Sequence, residues 1–224
     1  MRLSVIVPAL DEGETIAATL ARLQPLRGRG HEVLVVDGGS RDDTRARAAA
    51  LADRVLQAPR GRARQMNAGA AQAAGDLLWF VHADTLVPPD ADRLLVAALA
   101  GRGAAWGRFD VRLSGRRTLL RLIGRLMNLR SRLTGIATGD QGLFVSRELF
   151  GRVGGFPDLP LMEDVELSRR LRRELRPLCL RQRLVTSSRR WKQRGVLRTV
   201  ALMWYLRAAW ALGVPAQRLA ARYE

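Results

Sequence analysis

Apolar and polar positions come in alternating blocks along the first hundred residues. Residues 3–7 form a β-branched run that stops at Pro8, the pattern of a strand buried in a parallel sheet. Acidic Asp11 and Glu12 follow and can cap a helix over roughly residues 15–23. A second β-branched run, 32–36, ends at Asp37-Gly38-Gly39-Ser40 and leads into a helix-like stretch over 41–52. A short strand around Val55, a turn at Gly61 and an alanine-rich helix over 62–74 come next. An apolar strand over 77–81 then runs into His82-Ala83-Asp84. This alternation predicts a three-layer α/β fold with a mostly parallel sheet. Ligands of such sheets sit beyond the carboxyl ends of the strands. Asp11, Glu12, Asp37, His82 and Asp84 all fall there.

The second half reads differently. Residues 108–113 resemble a strand, 143–146 a short strand, and 163–174 a charged helix. Residues 116–133 form an amphipathic helix, with Leu122, Leu126, Leu129 and Leu133 on one face and Arg117, Arg121, Arg125 and Arg132 on another. No acidic residue occurs between Asp110 and Asp140. Residues 196–214 are apolar and carry Trp204, Tyr205 and Trp210.

Composition narrows the class. A chain of 224 residues, 47% hydrophobic, has enough apolar side chain for one sizeable core and too much for a disordered chain. The single cysteine, Cys179, excludes a disulfide framework and fits a reducing compartment. The apolar N-terminal run is too short for a secretory signal, so a cytoplasmic location is expected. The net charge is +17, and all but one of the 38 basic residues are arginine, Lys192 being the exception. That excess is either a set of solvated faces or an attraction to nucleic acid, anionic lipid or a diphosphate. The arginine-rich helix can lie on an anionic membrane surface. Arg198 and Arg207 make insertion of residues 196–214 costly, which favours burial against the domain. No aromatic interleaving or recognised nucleic-acid motif accompanies the charge, so no specific nucleic acid partner is expected.

Several short segments carry candidate chemistry. Asp37 can accept hydrogen bonds from a base or ribose while Gly38 and Gly39 admit close backbone approach, or the segment is a turn and helix cap. Asp84 can hold a divalent cation, with His82 two residues earlier, or it caps a turn. Arg62 and Arg64 add positive charge at a helix start that already favours anions. Glu163-Asp164 opens a helix after Gly154-Gly155-Phe156-Pro157; the pair either complements the helix dipole or supplies a general base.

Taken in order, these segments resemble a known family. Residues 4–12 resemble the opening strand and acidic turn of family 2 glycosyltransferases, and residues 36–44 their nucleotide-binding Asp-Gly-Ser segment. Gly61 to Gly69, with Arg64 and Asn67, is similar to the diphosphate-side helix. His82-Ala83-Asp84 stands where the family has its Asp-x-Asp metal motif. Gly154-Gly155-Phe156 and Met162 to Glu166 resemble the acceptor-side motifs, and Ser188 to Trp191 the Arg-Trp element of some members. His82-Ala83-Asp84-Thr85, Gly139 to Gly142 and Ser188 to Trp191 together look like a compact bacterial subfamily. Gene context links that subfamily to radical-SAM partners and to arsenosugar or selenium metabolism.

The resemblance implies a GT-A fold: a Rossmann-like α/β/α domain over residues 1–224, plus C-terminal helices. Residues 1–100 would be the nucleotide-binding half, 101–195 the acceptor and catalytic half, and 196–224 a helical tail. It implies a nucleotide-sugar donor, with UDP favoured, an unidentified acceptor, Mg²⁺ or Mn²⁺, and inversion at the anomeric carbon. Pro8, Glu12, Asp37, Gly38, Arg64, Asn67 and His82 would line the nucleotide, and Asp84 would hold the metal. Asp140, Gln141, Arg190 and Trp191 would reach the donor sugar or diphosphate. Asp164 would be the base, supported by Glu163. His82 departs from the family's first aspartate and supplies no negative charge when neutral, which bears on metal choice. Two rivals differ in what they require. A nucleotidyltransferase needs a basic glycine-rich loop after the first strand, where this chain has Pro8-Ala9-Leu10-Asp11-Glu12. A basic nucleic-acid- or phosphate-binding module would use the arginine face of residues 116–133.

Overall fold

The computed structural model describes residues 1–115, 117–189, 191 and 195–223. In chain order the elements are β1 (Leu3–Ala9), α1 (Ile16–Arg27), β2 (Glu32–Asp37), α2 (Thr44–Ala49), β3 (Arg54–Gln57), α3 (Arg62–Gln72), β4 (Leu77–Phe80), β5 (Thr85–Leu86) and α4 (Ala91–Leu99). There follow β6 (Trp106–Leu113), α5 (Thr118–Thr134), a 3₁₀ turn (Gly139–Gln141), β7 (Phe144–Ser146), α6 (Arg147–Arg152), α7 (Glu163–Glu174), β8 (Leu178–Thr186), α8 (Val196–Ala211) and α9 (Ala216–Tyr223). One mixed sheet runs β3-β2-β1-β4-β7-β6-β8-β5. Its first four strands are parallel, β7 is antiparallel to both β4 and β6, and β8 is parallel to β6. The expected α/β fold is the observed one, with helices at the C-terminus.

Strand alternation divides the core between the two faces of the sheet. Leu3, Val5 and Val7 of β1 pack with Ile16, Leu20 and Leu23 of α1 and with Leu95 of α4. Ile6 points to the opposite face, where α3 and α7 contribute Met66, Ala70, Leu167 and Leu171. Helix α3 comes so close that a Cβ on Gly69 would lie 2.5 Å from Ile6 Cγ2. Two neighbouring aromatics of β4 anchor the two faces. Trp79 stacks with Phe109 at 5.3 Å between ring centres, and Phe80 meets Phe156 edge-on at 4.8 Å.

Helix α5 lies at the predicted place. Its leucine stripe faces outward: Leu122, Leu126, Leu129 and Leu133 are 48–78% exposed. The buried face is Leu120, Ile123, Gly124, Asn128 and Ser131. Polar bonds to β6 decide this. Asn128 Oδ1 accepts from Val111 N–H at 2.8 Å and Asn128 Nδ2 donates to Val111 O at 3.0 Å. Arg108, fully buried, donates to Ser131 Oγ and Asn128 O and pairs with Asp110, which Arg132 also grips at 2.8 Å. These groups are satisfied only against β6, so the helix turns its polar stripe inward. The expected burial of residues 196–214 is partial. Thr199, Leu206 and Ala209 are buried, while Leu197, Trp204 and Leu212 are at least 75% exposed. Among the described residues no helix is long and apolar enough to cross a membrane.

Candidate functional site

The carboxyl ends of β1, β2 and β4 open onto one region, and two later segments reach it. At the end of β2, Asp37 is fully buried. Its carboxylate accepts from the N–H groups of Gly39 and Ser40 and from Ser40 Oγ–H, so the turn alternative describes its contacts. Ser40 Oγ also accepts the Asp11 N–H at 2.9 Å, and the Gly38 N–H bonds Ala9 O at 2.9 Å, which ties this turn to the end of β1. Pro8 sits within β1 opposite Val36. Gln65, which sequence reasoning did not single out, donates to both Ala9 O and Val36 O at 2.8 Å and fastens the two strand ends to α3. A polar residue facing inward on an alanine-rich helix was the available signal. A Cβ on Gly38 would meet that Gln65 side chain at 3.0 Å, which accounts for glycine there.

The candidate metal residue lies beyond β4. The strand stops at Phe80, so His82 and Asp84 stand on the following loop rather than on one strand face. Burial first, and then the nearby Asp140 and Glu12 carboxylates, hold the Asp84 carboxyl above the usual range, against the opposing pull of His82 and Arg189. Glu12 accepts a 3.0 Å bond from Arg189. His82 Nδ1 stands 3.4 Å from Asp140 Oδ1. A half-buried carboxylate crowded by two others is stabilised by a cation. Among the described residues no three His, Cys, Asp or Glu side chains close into a cage for one. The donor set therefore fits a hard cation that takes one or two protein oxygens and completes its shell with diphosphate and water.

The 3₁₀ turn joins this region to α7. Thr138 and Gln141 form a reciprocal cap that shapes it, and Gln141 is fully buried in that role. Trp79 Nε1–H holds the turn's far end through Gly142 O at 3.1 Å. The Gly139 N–H donates to Asp164 Oδ2 at 2.8 Å, and a Cβ at Gly139 would land 2.3 Å from His82 Nε2. Gly139 is thus the contact point between the His82–Asp140 pair and Asp164. Helix α7 starts from Met162 in a left-handed conformation (φ 68°), a strained entry that sets the direction of Glu163 and Asp164. Asp164 Oδ1 accepts the Val165 N–H at 2.7 Å. Glu163 is 5% exposed, with Arg62 at 4.0 Å. Burial, and then the adjacent Asp164, push its carboxyl up to about 7.

Three further residues have structural partners. Arg64 pairs with Asp158 at 2.9 Å on the surface. Asn67 exchanges two hydrogen bonds with the Phe156 backbone, at 2.8 and 3.0 Å, and so holds the Gly155-Phe156 loop. Trp191 packs against Leu113, Leu120 and Ile123. Arg190 lies outside the described residues.

This is the architecture of a nucleotide-sugar-dependent transferase domain, with strand-end carboxylates on one side and a helix-borne acidic pair on the other. The model of glycosyl transferase family 2 matches residues 4–152, and the chain belongs to that family. An uncharacterized glycosyltransferase of Mycobacterium tuberculosis is 33% identical over 190 residues, covering 80% of this chain and 71% of that protein. Glucosyl-3-phosphoglycerate synthase from Mycobacterium tuberculosis, in complex with Mg²⁺ and UDP, superposes with a TM-score of 0.62 at 27% identity, over 83% of this chain and 70% of that one. S. aureus TarS 1-349 in complex with UDP-GlcNAc superposes with a TM-score of 0.68 at 20% identity and supports the fold alone. It matches 84% of this chain, which spans 59% of the TarS structure's length.

Proposed function

We propose that this chain transfers a sugar from a nucleoside-diphosphate sugar, UDP-linked by preference, to an acceptor nucleophile with inversion at the anomeric carbon. The observation that carries this reading is the bridge at Gly139, which brings Asp164 up to the His82–Asp140 pair beside Asp84. A donor held along the ends of β1, β2 and β4 would then have its leaving group at Asp84 and its acceptor at Asp164. UDP in the mycobacterial synthase complex supports the choice of nucleotide.

On this reading Pro8, Glu12, Asp37, Gly38 and Asn67 build the nucleotide wall, mostly by fixing the loops that line it. Arg64 and His82 flank the diphosphate. Asp84 would hold Mg²⁺ or Mn²⁺, with Asp140 and His82 alongside. When bound, that ion supplies positive charge to the departing diphosphate. Two backbone N–H groups fix the Asp164 carboxylate, leaving its other lone pairs to accept a proton from the acceptor's O–H. The acceptor oxygen bonds to the anomeric carbon as the carbon–oxygen bond to the diphosphate breaks on the opposite face. Glu163, buried behind Asp164, holds its proton up to about pH 7 and below that spares the base a second adjacent charge. Gln141 shapes the turn under the donor sugar, and Arg190 and Trp191 close over the diphosphate. The single-domain division at residues 1–100, 101–195 and 196–224, the compact bacterial subfamily and the cytoplasmic location belong to the same proposal.

Peripheral contact with an anionic membrane is a further part of it. The exposed leucine stripe of α5 lies among Arg121, Arg125 and Arg132, and the helix carries no acidic residue. Liposome sedimentation tests it: vesicles rich in phosphatidylglycerol should pellet the wild type but not Leu126→Glu, and equal recovery in the supernatant would end this part. The transferase reading itself is tested by thermal shift with UDP-, GDP-, dTDP- and ADP-sugars, each with Mg²⁺ and Mn²⁺. One donor class should stabilise the protein only with metal, and no stabilisation by any of them would overturn the assignment.

A further inference from the structure

Two arginines outside the expected site stand where Asp164 can feel them. Arg130 comes from the last turns of α5 and Arg207 from α8. The two helices meet at one end, where Val196 and Val200 pack against the cluster of Leu120, Ile123 and Met127. Helix α8 also packs across the start of α7, Leu206 and Ala209 against Leu161, Met162 and Val165. Arg207 is next to Leu206 on that helix.

Both are only partly exposed, and Arg130 is set apart by donors that meet no acceptor. Arg130 Nε and Nη2 are inaccessible to solvent and have no hydrogen-bond partner. Among the described residues neither Arg130 nor Arg207 has a carboxylate within 4.0 Å. Burial first, and then the nearby Arg207, lower the affinity of Arg130 for its proton to about 10; burial also lowers that of Arg207. Asp164 and Asp140 act in the opposite sense on both, which places the pair on that side of the cleft. A buried donor without an acceptor is costly, and a like charge nearby adds to that cost. The structure keeps both, and a doubly charged oxyanion between them would relieve both costs at once.

We infer that Arg130 and Arg207 form an anion subsite that holds a phosphate group of the acceptor beside Asp164. A phosphate dianion matches two guanidinium charges, whereas a single carboxylate would leave one uncompensated. The acceptor class is then a phosphorylated molecule whose nucleophilic oxygen lies close to its phosphate. This inference rests on the transferase reading for the word acceptor, but not for the anion site itself.

The test uses inorganic phosphate as the probe and isothermal titration calorimetry as the readout, on full-length protein saturated with UDP and Mg²⁺ so that the diphosphate position is filled. The wild type should bind phosphate saturably. Arg130→Gln and Arg207→Gln should each weaken it by about ten-fold or more, with UDP affinity unchanged. Arg207→Lys keeps the charge and guards against misfolding; it should retain phosphate binding at an intermediate level. Absence of phosphate binding to the UDP-loaded wild type, or equal binding by both Gln variants, overturns the inference. Loss of UDP affinity in the Gln variants overturns it too, by moving the pair to the donor side. If UDP does not bind the wild type, the transferase reading fails, and the same titration on the unliganded protein decides the anion site by itself.

Discussion

Replacing Glu163 by glutamine should make the protein more stable at neutral and alkaline pH. The carboxyl is 5% exposed, and its pKa rises from 4.5 to about 7 because burial and Asp164 both disfavour its charge. The folded state therefore holds this proton more tightly than the unfolded chain. The group's contribution to stability is intact below about pH 4.5, falls as pH rises toward 7 and levels off above it. Worked from those two values, the ionisable Glu163 lowers stability, relative to acid pH, by about 2 kcal/mol at pH 6 and about 3 kcal/mol at pH 8. Glutamine fills the same volume and cannot ionise, so the variant should gain roughly those amounts. In a chain of 224 residues the gain at pH 8 corresponds to a Tm increase of roughly 6–10 °C. Urea denaturation of both proteins across this pH range measures the difference directly, and groups common to the two cancel. A wild type and variant with parallel pH profiles, or a variant less stable at pH 8, would refute the reasoning. The wild type would then be tolerating an ionised Glu163 without strain, and the case that it spares Asp164 a neighbouring charge would go with it.

Other outcomes follow from single contacts. Gly139→Ala should cut transfer by about ten-fold or more, since a Cβ 2.3 Å from His82 Nε2 must part the His82–Asp140 pair from Asp164; a steady-state rate near wild type contradicts it. Asp84→Asn should raise the Tm of the ligand-free protein, by removing a charge crowded by Asp140 and Glu12, yet abolish metal-dependent UDP affinity. Calorimetry with and without Mg²⁺ checks both halves. Asn128→Ala should destabilise by about 2–4 kcal/mol, because it strands the Val111 N–H and C=O beneath α5, and chemical denaturation reads this out.

Much of the framework was legible in the sequence because its signals are local. The helix over residues 163–174 was bounded correctly by an acidic start and an amphipathic period. The strand end at Asp37 announced itself by a β-branched run giving way to carboxylate and glycine, and the one near Asp84 by an apolar run giving way to His82 and Asp84. What escaped depends on partners distant in the chain. Strand β8 hid because Arg181 and Arg183 interrupt its apolar pattern, and both are exposed. The orientation of α5 followed Asn128 and Ser131, whose bonds to β6 outweigh the leucine stripe. Gln65, Gly139 and the raised pKa of Glu163 are properties of an assembled cleft. Arg130 looks like all the other arginines until its buried donors without an acceptor set it apart.

Asp164→Asn provides the most direct measurement, with single-turnover release of UDP from a UDP-sugar followed alongside calorimetric UDP affinity. Asparagine keeps the bond from the Gly139 N–H through its oxygen and loses the ability to take a proton. The account predicts UDP binding equal to wild type, with acceptor-dependent turnover lowered by about 10³-fold or more. Turnover at the wild-type rate, or joint loss of UDP binding and turnover, would contradict the placing of donor and base on opposite sides of Gly139.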